Sequence, residues 1–81
     1  MIEFRPDLSK YEQVAAEIRR RIKTGVYQPG MPIPGEPRLA AEFGIARRTA
    51  RKVLELLIED GDVYTVRSIG TFVTREESDD A

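Results

Sequence analysis

A glycine between two amphipathic segments constrains the fold of this chain more than any other feature of its sequence. On both sides of Gly44, apolar side chains recur at three- and four-residue spacing, which is typical of helices that bury one face. These positions are Leu39, Ala40 and Phe43 before the glycine, and Ala50, Val53, Leu54, Leu57 and Ile58 after it. Glycine permits a tight corner between helices. The pattern therefore predicts a short helix over about 37–43, a turn, and a helix over about 47–60 that stops at Gly61.

An earlier apolar stripe predicts one more helix, over residues 9–24. Its members are Tyr11, Val14, Ala15, Ile18 and Ile22. Asp7 or Ser9 can cap the start of this helix, and Gly25 suits its end. The segment 26–35 is too rich in proline and glycine for a helix, and we expect Val26, Tyr27 and Ile33 to pack it onto the core.

The last part of the chain predicts a β-hairpin. Residues 63–73 are rich in β-branched and aromatic side chains, with a turn at Ser68 to Gly70. The order of helix, helix, helix and hairpin predicts a mostly α fold, a winged helix-turn-helix with three helices and a two-stranded wing. We assign 1–8 to an N-terminal arm, 9–74 to this domain, and 75–81 to an acidic tail that is expected to be disordered.

The composition removes most tools of enzyme chemistry. The 81 residues suffice for one small domain and contain no cysteine and no histidine. We therefore expect no disulfide, no metal site, no cofactor and no catalytic activity. The acidic pairs Glu76-Glu77 and Asp79-Asp80 lie in the expected tail, where no burial would tune them for catalysis. The sequence shows neither an apolar span nor a signal peptide, which favours a cytoplasmic location.

The net charge of −1 hides an uneven distribution of charge. Basic residues dominate between Ala15 and Lys52, whereas most acidic residues follow, at Glu55, Glu59, Asp60 and Asp62 and in the tail. A polarised chain can steer a polyanion despite a total charge near zero.

The sharpest candidate site is the first half of the third helix. Arg47, Arg48, Arg51 and Lys52 lie on the side away from the apolar stripe. Like charges four residues apart, near the positive end of the helix dipole, destabilise a helix. A purely structural helix gains nothing from this arrangement, whereas a helix that binds DNA phosphates and guanine edges does, so the pattern favours DNA binding. Glu55 and Glu59 follow on the outer face and would repel phosphates. Only the N-terminal half of this helix is therefore expected to enter a groove.

Alternatives to DNA contact stay open for several cations. The cluster on the third helix could be a solvated face in which Arg51 pairs with Glu55. The run Arg19-Arg20-Arg21-Lys23 could contact the DNA backbone or simply face solvent. Arg67 could reach the minor groove or a phosphate from the wing, or could be plain surface.

The residues resemble the DNA-binding domain of the GntR family of bacterial regulators over about residues 9–74. The matching stretches are Tyr11-Glu12-Gln13-Val14-Ala15, Ile18-Arg19, Ile22, Gly25-Val26-Tyr27-Gln28-Pro29-Gly30, Pro34-Gly35-Glu36, Leu39-Ala40, Phe43-Gly44-Ile45, Arg47, Thr49, Arg51, Leu54, Leu57, Gly61 and Gly70-Thr71-Phe72-Val73. The resemblance implies a homodimer on a short palindromic operator in double-stranded DNA. It also implies that Arg47 and Arg51 reach bases or phosphates, that Thr49 contacts the same groove, and that Gly70, beside Thr71, approaches the minor groove.

Four positions depart from the family pattern. Ala46 replaces the usual Ser or Thr cap of the recognition helix, and Gly35 replaces a common serine. Pro37 stands where some members carry a DNA-contacting arginine, so the neighbouring Arg38 becomes the candidate for that contact. In the wing, Ser68-Ile69-Gly70 replaces a common Gly-x-Gly.

The leading hypothesis is a sequence-specific transcriptional regulator, acting as a repressor at the nucleoid, with the recognition helix 47–60 in the major groove and the wing 62–74 toward the minor groove. The DNA-binding candidates are Arg38, Arg47, Arg48, Thr49, Arg51, Lys52, Arg67, Gly70 and Thr71. The rival hypotheses are a winged-helix module for protein interaction and a nonspecific DNA binder. Family members normally carry an effector-binding domain, and this sequence contains none. It is therefore either a minimal regulator or an excised domain, and Met1 slightly favours a complete short protein.

Overall fold

Three helices and a hairpin follow one another in the predicted order. The computed structural model describes residues 3–75, so the prediction of a disordered tail over 75–81 lies, except for Arg75, outside the described residues. The elements are α1 (Lys10–Lys23), α2 (Glu36–Phe43), α3 (Arg47–Glu59), β1 (Val63–Val66) and β2 (Gly70–Val73). The predicted bounds were within about one residue of these. Within the described part, no helix is long and apolar enough to cross a membrane.

The start of α1 is held by two polar side chains. Ser9 caps the helix by accepting a hydrogen bond from the backbone N–H of Glu12, and this selects Ser9 over Asp7. Gln13, one turn into the helix, accepts from the backbone N–H of Arg5 at 2.8 Å and donates to the carbonyl oxygens of Arg5 and Leu8 at 3.0 Å. The described part of the N-terminal arm is thereby tied to α1.

The core is centred on one face of α3. Ala50, Val53 and Leu57 are fully buried there, and both α1 and α2 pack against this helix. The other helices and the strands contribute Val14, Ala15, Ile18, Leu39, Ala40, Phe43, Val63 and Val73. Burying one large aliphatic side chain stabilises the fold by roughly 1.5–3 kcal/mol, so the α3 stripe is a major source of stability.

Two predicted core residues are exposed. Ile58 was assigned to the inner stripe, but 40% of it is accessible to solvent because it lies about 100° around the helix from Leu57, beyond the arc that the other helices cover. Val26 is also exposed: its backbone N–H bonds to the carbonyl of Arg21 in the turn that ends α1, and its side chain faces outward. Ile33, by contrast, is buried as predicted.

The segment between α1 and α2 runs along the free edge of β2. Gly30 donates to the carbonyl of Val73, Val73 donates to that of Met31, and Ile33 donates to that of Thr71, each at 2.9 Å. Pro32 lies opposite Phe72, at a position of the antiparallel pattern where no N–H is required. The sequence predicted a turn and some packing here, but it did not predict this pairing. Through these hydrogen bonds, β2 is joined to the segment between α1 and α2.

The tip of the wing contains a serine in a left-handed conformation. β1 and β2 pair from Val63 opposite Val73 to Val66 opposite Gly70, so the loop is 67–69 and Gly70 already belongs to β2. Ile69 donates to the carbonyl of Val66 at 3.0 Å, and Ser68 has φ 67°. Ser68 thus takes the conformation for which the family's usual glycine is suited.

We expect Leu57→Ala to lower the free energy of unfolding by about 2–5 kcal/mol, because it opens a cavity in the core at a fully buried position. Ile58→Ala, at the next position, should cause a much smaller loss. Urea unfolding followed by circular dichroism measures both. Equal losses would contradict the assignment of the α3 face.

We expect Ser68→Gly to leave stability unchanged or to raise it by up to about 1.5 kcal/mol. The change removes a left-handed strain of about 1–2 kcal/mol and adds about 0.5–1 kcal/mol of backbone entropy cost. Ser68→Val should destabilise, because a β-branched residue tolerates this conformation poorly. Thermal unfolding of the two variants provides the comparison, and a clear loss in Ser68→Gly would be inconsistent with the wing geometry.

Candidate nucleic-acid interface

The turn between α2 and α3 fixes the start of α3. Gly44 has φ 64°, a left-handed conformation that ends α2, and its N–H bonds to the carbonyl of Ala40. Ile45 donates to the same carbonyl at 3.0 Å and is buried, which anchors the corner in the core. Ala46 stands at the N-cap of α3 without a side-chain cap, as its sequence predicted. The corner is therefore rigid through backbone bonding and packing instead of capping.

The first half of α3 presents its cations to solvent. Arg47, Arg48, Arg51 and Lys52 are all exposed, Thr49 is half-buried, and Ala50 faces the core. The predicted division of this helix into a buried face and a basic face is therefore present. Glu55 and Glu59 are exposed in the second half.

A carboxylate of α2 lies between two of these arginines. The Nε and Nη2 atoms of Arg51 lie 3.0 and 3.4 Å from the two carboxylate oxygens of Glu36, and Nη2 of Arg47 lies 3.6 Å from one of them. The bond from Arg51, with its charge and that of Arg47, lowers the pKa of Glu36, and Glu36 raises the pKa of Arg51. The alternative in which Arg51 pairs with Glu55 was thus wrong, because Arg51 pairs with Glu36 of α2. Sequence spacing reveals only partners on the same helix.

The remaining cations near α3 are less restrained. Nζ of Lys52 lies 5.5 Å from the ring centroid of Tyr11, so α1 positions it through a cation–π contact. Arg48 and Arg38 are exposed, and the structure shows no ion pair for either within residues 3–75. These two side chains are available to an external anion.

The side chain of Arg21 in α1 bonds to groups in three parts of the domain. Only 18% of its side chain is exposed, and its guanidinium donates to Glu17 at 3.0 Å, to the hydroxyl of Tyr27 at 2.9 Å and to Glu42 at 2.7 Å. It also lies 5.1 Å from the ring centroid of Phe43. One side chain thus joins α1, α2 and the segment between them.

Two neighbouring arginines are also paired within the domain. Arg20 donates to Glu17 at 2.7 Å. Arg19 pairs with Asp60 and, at 2.8 Å, with Asp62, which ties α1 to the end of α3 and the start of the wing. These pairs favour an architectural role for the run Arg19–Arg21 over contact with a DNA backbone.

The wing presents its candidate residues at different depths. Arg67 is exposed in the loop, whereas Gly70 and Thr71 are half-buried at the start of β2. Sequence reasoning missed Ile69 at the tip, which is 71% exposed and follows the strained Ser68. Its only sequence signal was an isoleucine at the centre of the turn.

Comparisons with known proteins agree on the family. The family model described as bacterial regulatory proteins, gntR family, matches residues 10–73. The HTH-type transcriptional repressor NagR of Bacillus subtilis is 38% identical over 71 residues, covering 88% of this chain and 29% of that protein. The HTH-type transcriptional regulator GmuR of the same species is 40% identical over 73 residues, covering 90% and 31%. A crystal structure of the AraR DNA-binding domain with operator ORX1 superposes with a TM-score of 0.82 at 38% identity, covering 91% of this chain and 95% of that one.

The chain belongs to the GntR family of bacterial regulatory proteins, and its fold is the winged helix-turn-helix of that family's DNA-binding domains. It spans about 30% of the length of the curated relatives that it matches. Membership in a family of regulators agrees with the prediction that it is not an enzyme.

The ion pairs of Glu17 predict a loss of stability in acid. Hydrogen bonds from Arg20 and then Arg21 lower the pKa of Glu17 from 4.5 to about 2. Because the folded state binds this proton less tightly than the unfolded chain, the stabilisation is complete above about pH 4.5 and is lost as the pH falls toward 2. In Glu17→Gln, the melting temperature should therefore fall less steeply between pH 4.5 and 2. Glu59→Gln is the control and should keep the wild-type slope, and identical slopes in all three proteins would contradict the role of Glu17.

Proposed function

We propose that this chain regulates transcription, as a repressor, by binding an operator in double-stranded DNA. The observation that carries the proposal is the exposed basic half of α3, which the buried stripe of the same helix holds outward from a rigid corner. This is the part of a recognition helix that enters a major groove. The relatives named as repressors and the AraR domain crystallised with an operator support the same reading.

The proposed roles follow from exposure and reach. Arg47 and Arg51 read base edges, because a guanidinium can donate two parallel bonds to a guanine. Arg48, Lys52 and Arg38 contact phosphates, since a base-independent charge is sufficient there. Thr49 contacts the wall of the groove from its half-buried position.

The wing is proposed to lie toward the minor groove. Arg67 supplies the charge that a narrow minor groove attracts, and Gly70 with Thr71 lets the backbone approach the sugar-phosphate wall. The pairing of β2 with the segment 30–33 and the packing of β1 against α3 support this placement of the hairpin.

A homodimer on a palindromic operator is the proposed assembly. Helix-turn-helix domains read two half-sites about 34 Å apart, one turn of DNA, so operator symmetry mirrors protein symmetry. Action on chromosomal operators would place the protein at the nucleoid, in the cytoplasm.

We expect the chain to enrich a two-fold symmetric sequence from a random pool of duplexes at near-physiological salt. On that operator, Arg47→Ala and Arg51→Ala should each weaken binding by about 10- to 100-fold, the value of one bidentate base contact. Each should change the slope of log affinity against log salt only little, because that slope counts contacts with phosphates and not with bases. Electrophoretic mobility shifts over a salt series measure both quantities.

Arg20→Ala is the matched control, because it removes an exposed arginine of α1 that is paired with Glu17. It should leave operator affinity unchanged. Enrichment of no sequence, with equal binding to random duplexes, would favour a nonspecific binder. The absence of DNA binding would favour a module for protein interaction.

A further inference from the structure

Glu36 is the only acidic residue in the described part of the chain that pairs with the recognition helix. It is the first residue of α2, and its side chain is half-buried, with 21% of its surface exposed. The positive end of the α2 dipole stabilises a carboxylate in the first turn. Its partners Arg47 and Arg51, in contrast, have side chains that are 67% and 63% exposed. A half-buried carboxylate therefore pairs with two exposed arginines.

The pairing relieves a conflict that the sequence of α3 creates. Arg47 and Arg51 are four residues apart and would repel each other on an isolated helix. A carboxylate between them offsets that repulsion and limits the rotamers of both side chains. Limiting rotamers in advance lowers the entropy cost of a later contact.

The pairing with Glu36 leaves one edge of the Arg51 guanidinium free to donate to a base. A guanidinium has five N–H donors, and Glu36 uses the side formed by Nε and Nη2. The end formed by Nη1 and the second N–H of Nη2 stays available. That end carries the two parallel donors that match N7 and O6 of guanine.

A phosphate competes with Glu36 in a way that a guanine does not. A phosphate that approaches Arg51 meets a carboxylate within 3.4 Å of the same guanidinium, and the two anions repel. Guanine is neutral and needs only the open end. The same contact therefore favours base reading over attachment to the DNA backbone.

We propose that Glu36 is a positioning residue for specificity: it aims Arg51, and with it Arg47, at base edges and suppresses binding to phosphates alone. The inference rests on the proposed function, because it concerns the same surface and the same operator. Its effect is on the ratio of operator affinity to nonspecific affinity, more than on operator affinity itself.

The test compares Glu36→Gln with Glu42→Gln. Both variants remove one negative charge from a carboxylate of α2 that pairs with an arginine, but Glu42 lies about 9 Å further along the helix and pairs with Arg21 of α1. Each protein is titrated with the selected operator and with a scrambled duplex of equal length over a salt series. In Glu36→Gln, the affinity ratio should fall about tenfold, with tighter binding to the scrambled duplex and a salt slope up to about one unit steeper.

A further pair of proteins separates positioning from support of the fold. In the Arg51→Ala background, Glu36→Gln should change the affinity ratio far less, because the arginine that it aims is absent. Unfolding curves of each variant check that the fold is retained. An unchanged ratio in Glu36→Gln, the same change in Glu42→Gln, or a full effect in the Arg51→Ala background would each overturn the proposal.

The two proposals fail in different ways. If the wild-type chain binds operator and scrambled duplexes equally, the proposed function fails. The proposed function stands if the wild-type chain prefers the operator to the scrambled duplex and Arg51→Ala loses that preference. If Glu36→Gln then keeps the wild-type ratio of the two affinities, only the role of Glu36 fails.

Discussion

The burial of one face of α3 determines the rest of the structure. Ala50, Val53 and Leu57 lose all contact with water on the side of α3 that is packed in the core, and α1 and α2 both pack against this helix. A helix held in this way has no freedom to rotate about its axis, so its opposite face must point to solvent. The cations of its first turns are exposed because the opposite face of the helix is buried by the hydrophobic effect. No other element is required to hold them on the surface.

The cations of this protein divide into two groups with different work. The arginines of α1 pair inside the domain: Arg21 joins two helices and a connecting segment, and Arg19 ties α1 to Asp60 and Asp62 at the base of the wing. The cations of α3 are exposed, and within residues 3–75 their contacts are the carboxylate of Glu36 and the ring of Tyr11. This division is one reason that a chain with a net charge of −1 can present a basic surface, because Glu17, Glu42, Asp60 and Asp62 pair with arginines of α1 and not with the cations of α3.

The wing is an extension of the core and not an independent hairpin. A two-stranded hairpin alone is marginally stable in water, and here the segment 30–33 adds a third partner along β2 while Val63 and Val73 enter the core. Only the loop 67–69 lacks such support. The strained Ser68 and the exposed Ile69 lie there, so substitutions at the tip should affect the fold less than substitutions at Val63 or Val73.

The sequence by itself determined the order of the elements, the corner at Gly44 and the basic first half of α3, because helical periodicity and glycine conformation are local properties. The sequence assigned Ile58 to the buried face of α3, whereas the structure exposes it. Local periodicity does not reveal how wide an arc of the helix its neighbours cover. Only the tertiary structure decided which acid meets which arginine. Glu36 and Arg51 are separated by a turn and lie on different helices, so their pairing depends on how α2 crosses α3, and that crossing is set by packing instead of by any local pattern.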